Sequence, residues 1–377
     1  MASVSVKSIS KTYAGAKRTE VMAINDVSLE IADHQFVVLV GPAGCGKSTI
    51  LRTIAGLEKV SKGEIYIGDK RVNDVAPKDR DVAMVFPDYA LYPHMTVGDN
   101  LAFGLKLRKF SGPESKRRVS DAASILGIDS LLSQKPGALD SSQRQRVALG
   151  RAVVRQPKVF LLDDPLSNLE STARRQMRGE LIKLHQRLQA TMIYVTQDSV
   201  EAMMMADQVV VLKDGAVQQA DTPLAVYRQP ANLFVAGYFG SPSMNLVAGR
   251  LRQDGDKLRF DEVGGGTISI IFPRDEQPAA QNFSNANVIF GIRPEDLQIA
   301  KLSRKEVRAA GNSFPAIVDL VEPMGAETHL CLNTGAHSLS CRSCEPFDRG
   351  EAGHRFQFEV NLARAHFFDP ETTNRLF

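Results

Sequence analysis

Up to about residue 236 the apolar positions follow two alternating patterns, short continuous runs and longer stretches with helical spacing. The runs Phe36–Val40 and Val159–Asp163 have the length of buried strands, and amphipathic segments follow them at 48–57 and 173–188. The apolar residues of the second segment share one helical face: Met177, Leu181, Leu184 and Leu188. This alternation predicts an α/β fold with a mostly parallel sheet covered on both faces.

The pattern divides the chain into two domains. Residues 1–236 form the predicted α/β domain, and its stretch from about 88 to 158 is richer in charge and helical spacing, which indicates a helical insertion between strands. A Gly-Ser-Pro-Ser linker follows at 240–243. Residues 247–377 then contain short β-rich runs with frequent glycine and proline, a pattern that predicts a small C-terminal β-barrel domain.

Composition argues against several classes of protein. No apolar run approaches the ~18–20 residues that a membrane helix needs, and the N-terminal residues lack the apolar core of a signal peptide. We therefore expect a cytosolic chain whose membrane role comes through a partner. The formal net charge of +3 gives no reason to expect nucleic acid as a partner. The four cysteines include a single C-x-x-C pair, Cys341 and Cys344, but a zinc site usually needs a second pair or suitably spaced histidines, so reduced thiols are expected.

A phosphate-binding loop is predicted between the first buried strand and the helix that follows it. The segment matches the pattern G-x-x-x-x-G-K-[ST], in which backbone N–H groups and a helix N-terminus cradle an anion. We expect Lys47 to reach the β- and γ-phosphates of ATP and the Ser48 hydroxyl to ligate Mg²⁺. The expected nucleotide-binding residues are Gly41, Pro42, Ala43, Gly44, Cys45, Gly46, Lys47, Ser48 and Thr49. The alternative is a glycine-rich turn that matches the pattern by chance.

A metal-binding carboxylate is predicted at the end of the strand Val159–Asp163. Four apolar residues bury this strand, and the carboxylate at its C-terminal end is expected to face the phosphate site. Asp163 would hold Mg²⁺ through water, next to Ser48. A lone apolar strand ending in aspartate is common, so the prediction depends on its pairing with the loop.

Five further segments carry family-specific patterns: Gln143–Ala152, Pro165–Leu169, Asp88–Val97, Gly291–Asp296 and Val321–Gly325. Together they resemble the ATP-binding subunits of ABC transporters, and most of all those of carbohydrate importers of the maltose and sn-glycerol-3-phosphate type. The first two resemble the stretch after the signature motif and the D-loop. The third resembles the stretch after the Q-loop, and the last two resemble an OB-like C-terminal regulatory domain. The resemblance covers nearly the whole chain.

The resemblance implies a peripheral subunit on the cytoplasmic face of the inner membrane. It pairs with a second ATP-binding subunit, and each ATP lies between one phosphate loop and the other chain's signature motif. Integral-membrane permease subunits dock through 88–97, led by Leu91, Tyr92, Pro93 and Met95, and a solute-binding protein acts indirectly. Tyr13 matches the aromatic residue that stacks on adenine. The alternatives are that 88–97 packs within the helical insertion and that Tyr13 is an ordinary strand-end aromatic residue.

Several positions depart from the family pattern where its chemistry takes place. The Q-loop glutamine is replaced by Pro87, the presumed general base by Asp164, and the switch histidine by Gln197. The signature Leu-Ser-Gly-Gly-Gln reads Leu139-Asp140-Ser141-Ser142-Gln143, so the residues facing the partner's ATP are Asp140, Ser141, Ser142 and Gln143. The D-loop aspartate is also replaced, by Glu170.

These departures predict impaired hydrolysis. A carboxylate at Asp140 would repel the partner's γ-phosphate, and a capping box with Gln143 would hold it in the anion site. Asp164 keeps the charge of the general base but is one methylene shorter, and Gln197 cannot carry positive charge. Pro87 has no polar side-chain group and stiffens the loop.

Two functional hypotheses remain open from the sequence. One is an energy-coupling transport ATPase, and the other is a docking or regulatory nucleotide-binding subunit that scarcely hydrolyses ATP. A third, a soluble ABC protein of translation or repair, is disfavoured because such proteins commonly carry two cassettes and this chain has one phosphate loop. The transported solute is not encoded here, because selectivity resides in the partners.

Overall fold

The protein is represented by a computed structural model that describes residues 2–14, 20–255, 257–273, 285–300, 311–345 and 347–377. The chain falls into two compact units, the first ending at Leu224 and the second beginning at Ala225. Within the described ranges, no helix combines the length and the apolar character needed to cross a membrane.

The first unit contains two sheets and a set of helices. Its strands are β1 (Val4–Ala14), β2 (Glu20–Ile31), β3 (Phe36–Val40), β4 (Lys62–Ile67), β5 (Lys70–Arg71), β6 (Val82–Val85), β7 (Val159–Asp163), β8 (Thr191–Thr196), β9 (Gln208–Lys213) and β10 (Ala216–Asp221). Its helices are α1 (Lys47–Ala55), α2 (Val97–Leu107), α3 (Gly112–Leu126), α4 (Ser141–Val153), α5 (Ser171–Leu188) and α6 (Ser199–Met205). At least one helix lies between each strand of the central sheet and the next along the chain from β3 to β9, which confirms the predicted α/β fold.

The central sheet has the strand order β10-β9-β3-β8-β7-β6, and all of these strands except β10 run parallel. Every residue of β3, β7 and β8 is buried, as expected for a parallel sheet covered on both faces. In the register, Thr196 of β8 lies opposite Val40 of β3, and Val195 lies opposite Asp163 of β7. The carboxyl ends of these three strands therefore meet at one edge, where open α/β sheets bind their ligands.

An antiparallel sheet, with the order β2-β1-β4-β5, shares a core with the central sheet and α1. Val6 of β1, Leu39 of β3 and Ile50 of α1 belong to one buried apolar cluster. Helix α1 ends at Ala55 and not at the predicted residue 57. The reason is that Gly56 takes a left-handed conformation, with φ of 78°, and its N–H caps the last carbonyls of the helix.

Helices α2, α3 and α4 lie between β6 and β7, in the segment predicted as a helical insertion at about 88–158. The Thr96 and Ser111 side chains cap α2 and α3 by accepting backbone N–H groups of the first turn. Helix α4 contacts both of these helices and also β6. These contacts hold the N-terminus of α4, which carries the signature segment.

The second unit is rich in β-structure. Helix α7 (Pro223–Arg228) spans the boundary between the units, and α8 (Leu233–Tyr238) follows it. The strands are β11 (Asn245–Asp254), β12 (Lys257–Glu262), β13 (Ser269–Pro273), β14 (Asn287–Ile292), β15 (Leu297–Ile299), β16 (Ser313–Pro323), β17 (Thr328–Asn333), β18 (Ser338–Ser343), β19 (Arg355–Val360) and β20 (His366–Phe368). They form two antiparallel sheets, β13-β12-β11-β14-β20 and β15-β19-β16-β17-β18. Phe290 of the first and Phe358 of the second lie in one buried cluster, so the β-rich C-terminal domain is confirmed.

The boundary between the units lies earlier than the predicted domain limits of 236 and 247. Arg293, buried after β14, donates hydrogen bonds to the carbonyl oxygens of Tyr227, Ala236 and Phe239. Its guanidinium also lies 3.9 Å from the centroid of the Tyr227 ring. These contacts tie the residues around α8 to the β-rich unit, and no local sequence pattern indicates them.

Candidate nucleotide-binding site

The phosphate loop connects β3 to α1 and turns on glycines with left-handed backbone conformations. Gly46 has φ of 100°, and a Cβ at this position would lie 2.4 Å from the carbonyl oxygen of Ala23, so no larger residue fits. Lys47 is buried, and its Nζ donates to the carbonyl oxygens of Gly41 at 2.8 Å and Pro42 at 2.6 Å. The ammonium is therefore held inside the loop by neutral acceptors, at the N-terminus of a helix.

The two predicted metal ligands lie in contact. The Ser48 hydroxyl donates to Oδ1 of Asp163 at 2.6 Å, and Asp163 is only 2% exposed. The guanidinium of Arg52 lies 3.9 Å from the other carboxylate oxygen. A hydroxyl beside a carboxylate, next to a phosphate loop, is a donor set of hard oxygens that suits Mg²⁺.

Asp164, at the position of the general base, is half-buried directly after Asp163. Its backbone N–H donates to the carbonyl oxygen of Val195 at 3.0 Å, and its φ of 46° is left-handed. Burial, together with the negative charges of Glu201 and Asp163, raises the pKa of its carboxyl to about 6, although the positive charge of Lys47 opposes this rise. Asp164 is therefore mostly ionised at pH 7.

Pro87 and Gln197 stand at two other edges of the site. Gln197 is exposed between β8 and α6. Pro87 follows β6 and presents no polar side-chain atom, and its carbonyl oxygen accepts a hydrogen bond of 2.9 Å from Nδ2 of Asn168 in the D-loop. The loop then turns through Tyr89 and Ala90, which have φ values of 62° and 46°.

The signature segment forms the first turn of α4. Asp140 is the N-cap residue: its Oδ1 accepts the N–H of Gln143 at 2.8 Å, and Oε1 of Gln143 accepts the N–H of Asp140 at 3.1 Å. The predicted capping box is confirmed. Ser141 and Ser142 complete the turn, and Asp140 is exposed. The carboxylate thus occupies the N–H of Gln143, a backbone donor that an anion would otherwise use.

Tyr13 lies near the end of β1, half-buried and paired in register with Val21 of β2. The Nζ of Lys11 lies 4.7 Å from the centroid of its ring. Val21 and Met22 are each 56% exposed, so an apolar surface continues beside the tyrosine. A surface of this kind can receive a planar base.

The segment 88–97 is only partly exposed. Pro93 is exposed, whereas Leu91, Tyr92 and Met95 are half-buried. The Tyr92 ring packs 4.5 Å from that of Phe103 in α2. Docking through this segment predicts that all four side chains face solvent in the isolated chain; this holds for Pro93 but needs correction for the others, because α2 and α4 cover one side of the segment.

A groove of about 1020 Å³ runs beside this segment. Its walls come from β6, α2 and α4, and include Tyr89, Tyr92, Phe103, Leu107 and Arg151. Leu107 is 69% exposed. The segment and the groove together form an apolar and basic surface, which we call the docking groove.

Some residues that shape the site have no signal in the sequence. Glu201 of α6 is only 2% exposed and accepts hydrogen bonds from the Tyr194 and Thr196 hydroxyls. Arg52 of α1 lies 3.9 Å from the carboxylate of Asp163. From sequence alone, a charged or polar residue in an amphipathic helix or a loop is predicted to face solvent. Only the fold brings these side chains to the site.

Profiles of known families match most of the chain. The ABC transporter profile matches residues 24–167, the MalK OB fold domain matches 240–297, and the TOBE domain matches 290–368. Among solved structures, the dimeric post-hydrolysis ATP-binding cassette MJ0796 bound to ADP and Pi has a TM-score of 0.53 and 30% identity, covering 58% of this chain and 98% of that one.

Two relatives match over nearly their full length. The oligosaccharides import ATP-binding protein MsmX of Bacillus subtilis is 49% identical over 354 residues, which are 94% of this chain and 95% of that protein. The osmoprotective compounds uptake ATP-binding protein GgtA of Synechocystis sp. is 45% identical over 379 residues, covering 100% of both. This identity, the three family profiles and the phosphate loop with its paired Ser48 and Asp163 establish that the chain belongs to the ABC transporter ATPases, as an ATP-binding subunit.

Proposed function

We propose that this chain serves an importer of a carbohydrate or a related solute such as sn-glycerol-3-phosphate, and that it binds ATP together with Mg²⁺. The observation that carries the proposal is the meeting of Lys47, Ser48 and Asp163 at the carboxyl edge of the central sheet. The class of solute rests on the relatives MsmX and GgtA, whose names state oligosaccharide import and uptake of osmoprotective compounds. The MalK OB fold and TOBE profiles support the same class.

Each residue of the site has a task that follows from its position. Lys47, now bonded to neutral carbonyl oxygens, would form stronger charge-assisted bonds to phosphates. The first N–H groups of α1 bind the anion, and Tyr13 stacks on adenine. Ser48 and Asp163 hold Mg²⁺, which neutralises phosphate charge when it is bound.

Hydrolysis is proposed to be weak because every position that handles the attacking water is altered. Asp164 can accept a proton at pH 7, but its carboxylate is about 1 Å short of a glutamate's, a displacement that can cost ~100-fold in rate. Gln197 can donate a hydrogen bond without positive charge. Pro87 offers only a carbonyl oxygen, which Asn168 already engages.

The defects lie on both faces of a paired site. In a dimer of ATP-binding subunits, Pro87, Asp164 and Gln197 belong to the chain that holds the nucleotide, whereas Asp140 faces the partner's nucleotide. Pairing with an intact homologue would therefore leave neither site complete. This arrangement favours the second candidate function, a docking or regulatory subunit that binds ATP and scarcely hydrolyses it.

The family implies membrane permease subunits as partners, and we propose that they bind at the docking groove and the segment 88–97. Exposed apolar surface beside Arg151 and Arg155 suits an amphipathic helix with acidic residues. Binding there would place the chain at the cytoplasmic face of the membrane, with a solute-binding protein reached only through the permease.

Calorimetry tests nucleotide binding directly. Lys47→Ala should weaken Mg²⁺-dependent binding of ATP strongly, while Lys183→Ala, which removes an exposed lysine from α5, should not change it. Circular dichroism shows whether each variant is folded. Equal affinity of wild type and Lys47→Ala would overturn the assignment of the site.

Phosphate release tests the hydrolysis proposal. The wild-type protein is compared with a repaired variant that carries Pro87→Gln, Asp140→Ser, Ser141→Gly, Ser142→Gly, Asp164→Glu and Gln197→His. The repaired variant is expected to hydrolyse ATP at least ~100-fold faster, since a positioned general base alone contributes about 10²–10⁴-fold. Comparable rates would identify the chain as an ordinary transport ATPase.

A further inference from the structure

A buried carboxylate lies behind the switch position of the nucleotide site. Glu201 is 2% exposed, and its Oε2 accepts hydrogen bonds from the hydroxyls of Tyr194 at 2.7 Å and Thr196 at 2.8 Å. Among the described residues, it forms no ion pair with a lysine, arginine or histidine. Burying a carboxylate without a cation is costly, so its two hydroxyl donors are the main compensation that the structure provides.

The carboxylate determines how the Thr196 hydroxyl is used. The Thr196 hydroxyl donates its only proton to Oε2 of Glu201. The hydroxyl oxygen is then left to accept the backbone N–H of Asp198 at 3.0 Å. Thr196 and Asp198 flank Gln197, so this pair of hydrogen bonds holds the backbone on both sides of the switch residue.

The Asp198 side chain completes the turn. Its Oδ1 accepts the N–H groups of Val200 at 2.8 Å and Glu201 at 3.3 Å, which caps α6. Three hydrogen bonds thus connect the end of β8 to α6: Glu201 to Thr196, Thr196 to Asp198, and Asp198 to Glu201. Gln197 is exposed within the loop that these bonds form.

The register of the central sheet places this loop next to the expected position of the nucleotide's phosphates. Thr196 lies opposite Val40, the last residue before the phosphate loop, and Val195 lies opposite Asp163. The N–H of Asp164 donates to the carbonyl oxygen of Val195. Residue 197 therefore leaves the sheet between the phosphate loop and the aspartate pair, on the side where a γ-phosphate would lie.

We propose that Glu201, acting through the Thr196 hydroxyl, is a positioning residue that sets the place of Gln197 and thereby the preference of this subunit for ATP over ADP. The inference rests on the proposed nucleotide site and extends it to a residue that touches neither nucleotide nor metal. Only ATP carries a γ-phosphate, so displacement of Gln197 weakens ATP binding and leaves ADP binding unchanged.

Calorimetric titration with Mg²⁺ and either ATP or ADP measures the ratio of the two dissociation constants for each variant. Thr196→Val keeps the shape of the side chain and removes the hydroxyl, and Thr196→Ser restores the hydroxyl. Gln197→Ala removes the group that is positioned, and the double variant Thr196→Val with Gln197→Ala completes a double-mutant cycle. Glu201→Leu removes the acceptor itself, which provides a second route should Thr196→Val not fold.

We expect Thr196→Val, Glu201→Leu and Gln197→Ala each to lower the preference for ATP by roughly three- to tenfold, the size of one hydrogen bond. Binding of ADP should not change. Thr196→Ser should keep the wild-type ratio, and the double variant should resemble Gln197→Ala alone. Thermal unfolding, measured beside each titration, reports any general loss of stability.

Three results would overturn the inference: an unchanged ratio in Thr196→Val, equal weakening of ATP and ADP, or additive effects in the double variant. Each leaves the proposed function intact, because ATP would still bind and Lys47→Ala would still weaken that binding strongly. Failure of the wild-type protein to bind either nucleotide would instead refute the proposed function itself.

Discussion

Replacement of Asp140 by asparagine or serine tests whether the signature segment opposes closure of an ATP-bound dimer. Asp140 caps α4, with its Oδ1 2.8 Å from the N–H nitrogen of Gln143. Asparagine and serine are also good N-cap residues, so both substitutions keep the cap and remove the charge. We expect the free energy of unfolding of both variants to stay within about 0.5 kcal/mol of the wild type, whereas Asp140→Ala should lose about 1 kcal/mol.

The size of the effect on dimerisation follows from the charge. A carboxylate about 4 Å from one phosphate charge costs about 4 kcal/mol at an effective dielectric constant of 20, which corresponds to roughly 10³ in a dissociation constant. Asp140 is exposed in the isolated chain, so this penalty arises only when the partner's nucleotide approaches. Salt screens part of it, and at least about tenfold tighter ATP-dependent dimerisation is expected for both neutral variants.

Sedimentation equilibrium with Mg²⁺ and ATP measures the dimer dissociation constant, and the same measurement with ADP is the nucleotide control. Asp121→Asn, which removes an exposed carboxylate from α3, is the matched control for net charge. Equal dissociation constants for the wild type, Asp140→Asn and Asp140→Ser would refute the electrostatic argument. The capping box would then be a feature of helix stability alone.

Three further predictions concern docking and stability. A photo-cross-linker at Tyr92 should capture a permease subunit in native membranes, and capture of no membrane protein would count against the docking groove. Arg80→Met should destabilise the first unit by about 2–4 kcal/mol in urea unfolding, because buried Arg80 donates to the carbonyl oxygens of Thr53 and Ile54 at the end of α1. Burial, aided by nearby arginines, lowers the pKa of His366 from 6.5 to about 4. Since the unfolded chain then binds the proton first, stability should fall as pH drops from 6.5 to 4, by at most about 3 kcal/mol. His366→Phe should show a smaller fall in unfolding temperature over that range, and identical pH profiles would contradict the assignment.

Several parts of the fold and site are determined by residues that lie next to one another in the chain. β3 and β7 were predicted with their observed ends, because a buried parallel strand is a continuous apolar run bounded by turn residues. The phosphate loop was also predicted from the sequence, because its glycines, Lys47 and the start of α1 are contiguous in the chain. The capping box runs over the four consecutive residues from Asp140 to Gln143 and was equally predictable from the sequence.

Other features depend on contacts between residues far apart in sequence, and only the tertiary structure determines them. Arg293 bonds to the carbonyl oxygens of Ala236 and Phe239, which ties α8 to the β-rich unit that begins at Ala225. Tyr92 is half-buried because α2 brings Phe103 against it. Glu201 looks like a solvent-facing residue of a short helix, yet the fold buries it against two hydroxyls of β8. The physical reason is that periodicity and turn chemistry report only local backbone preferences, while burial and side-chain partners are set by which elements the fold brings together.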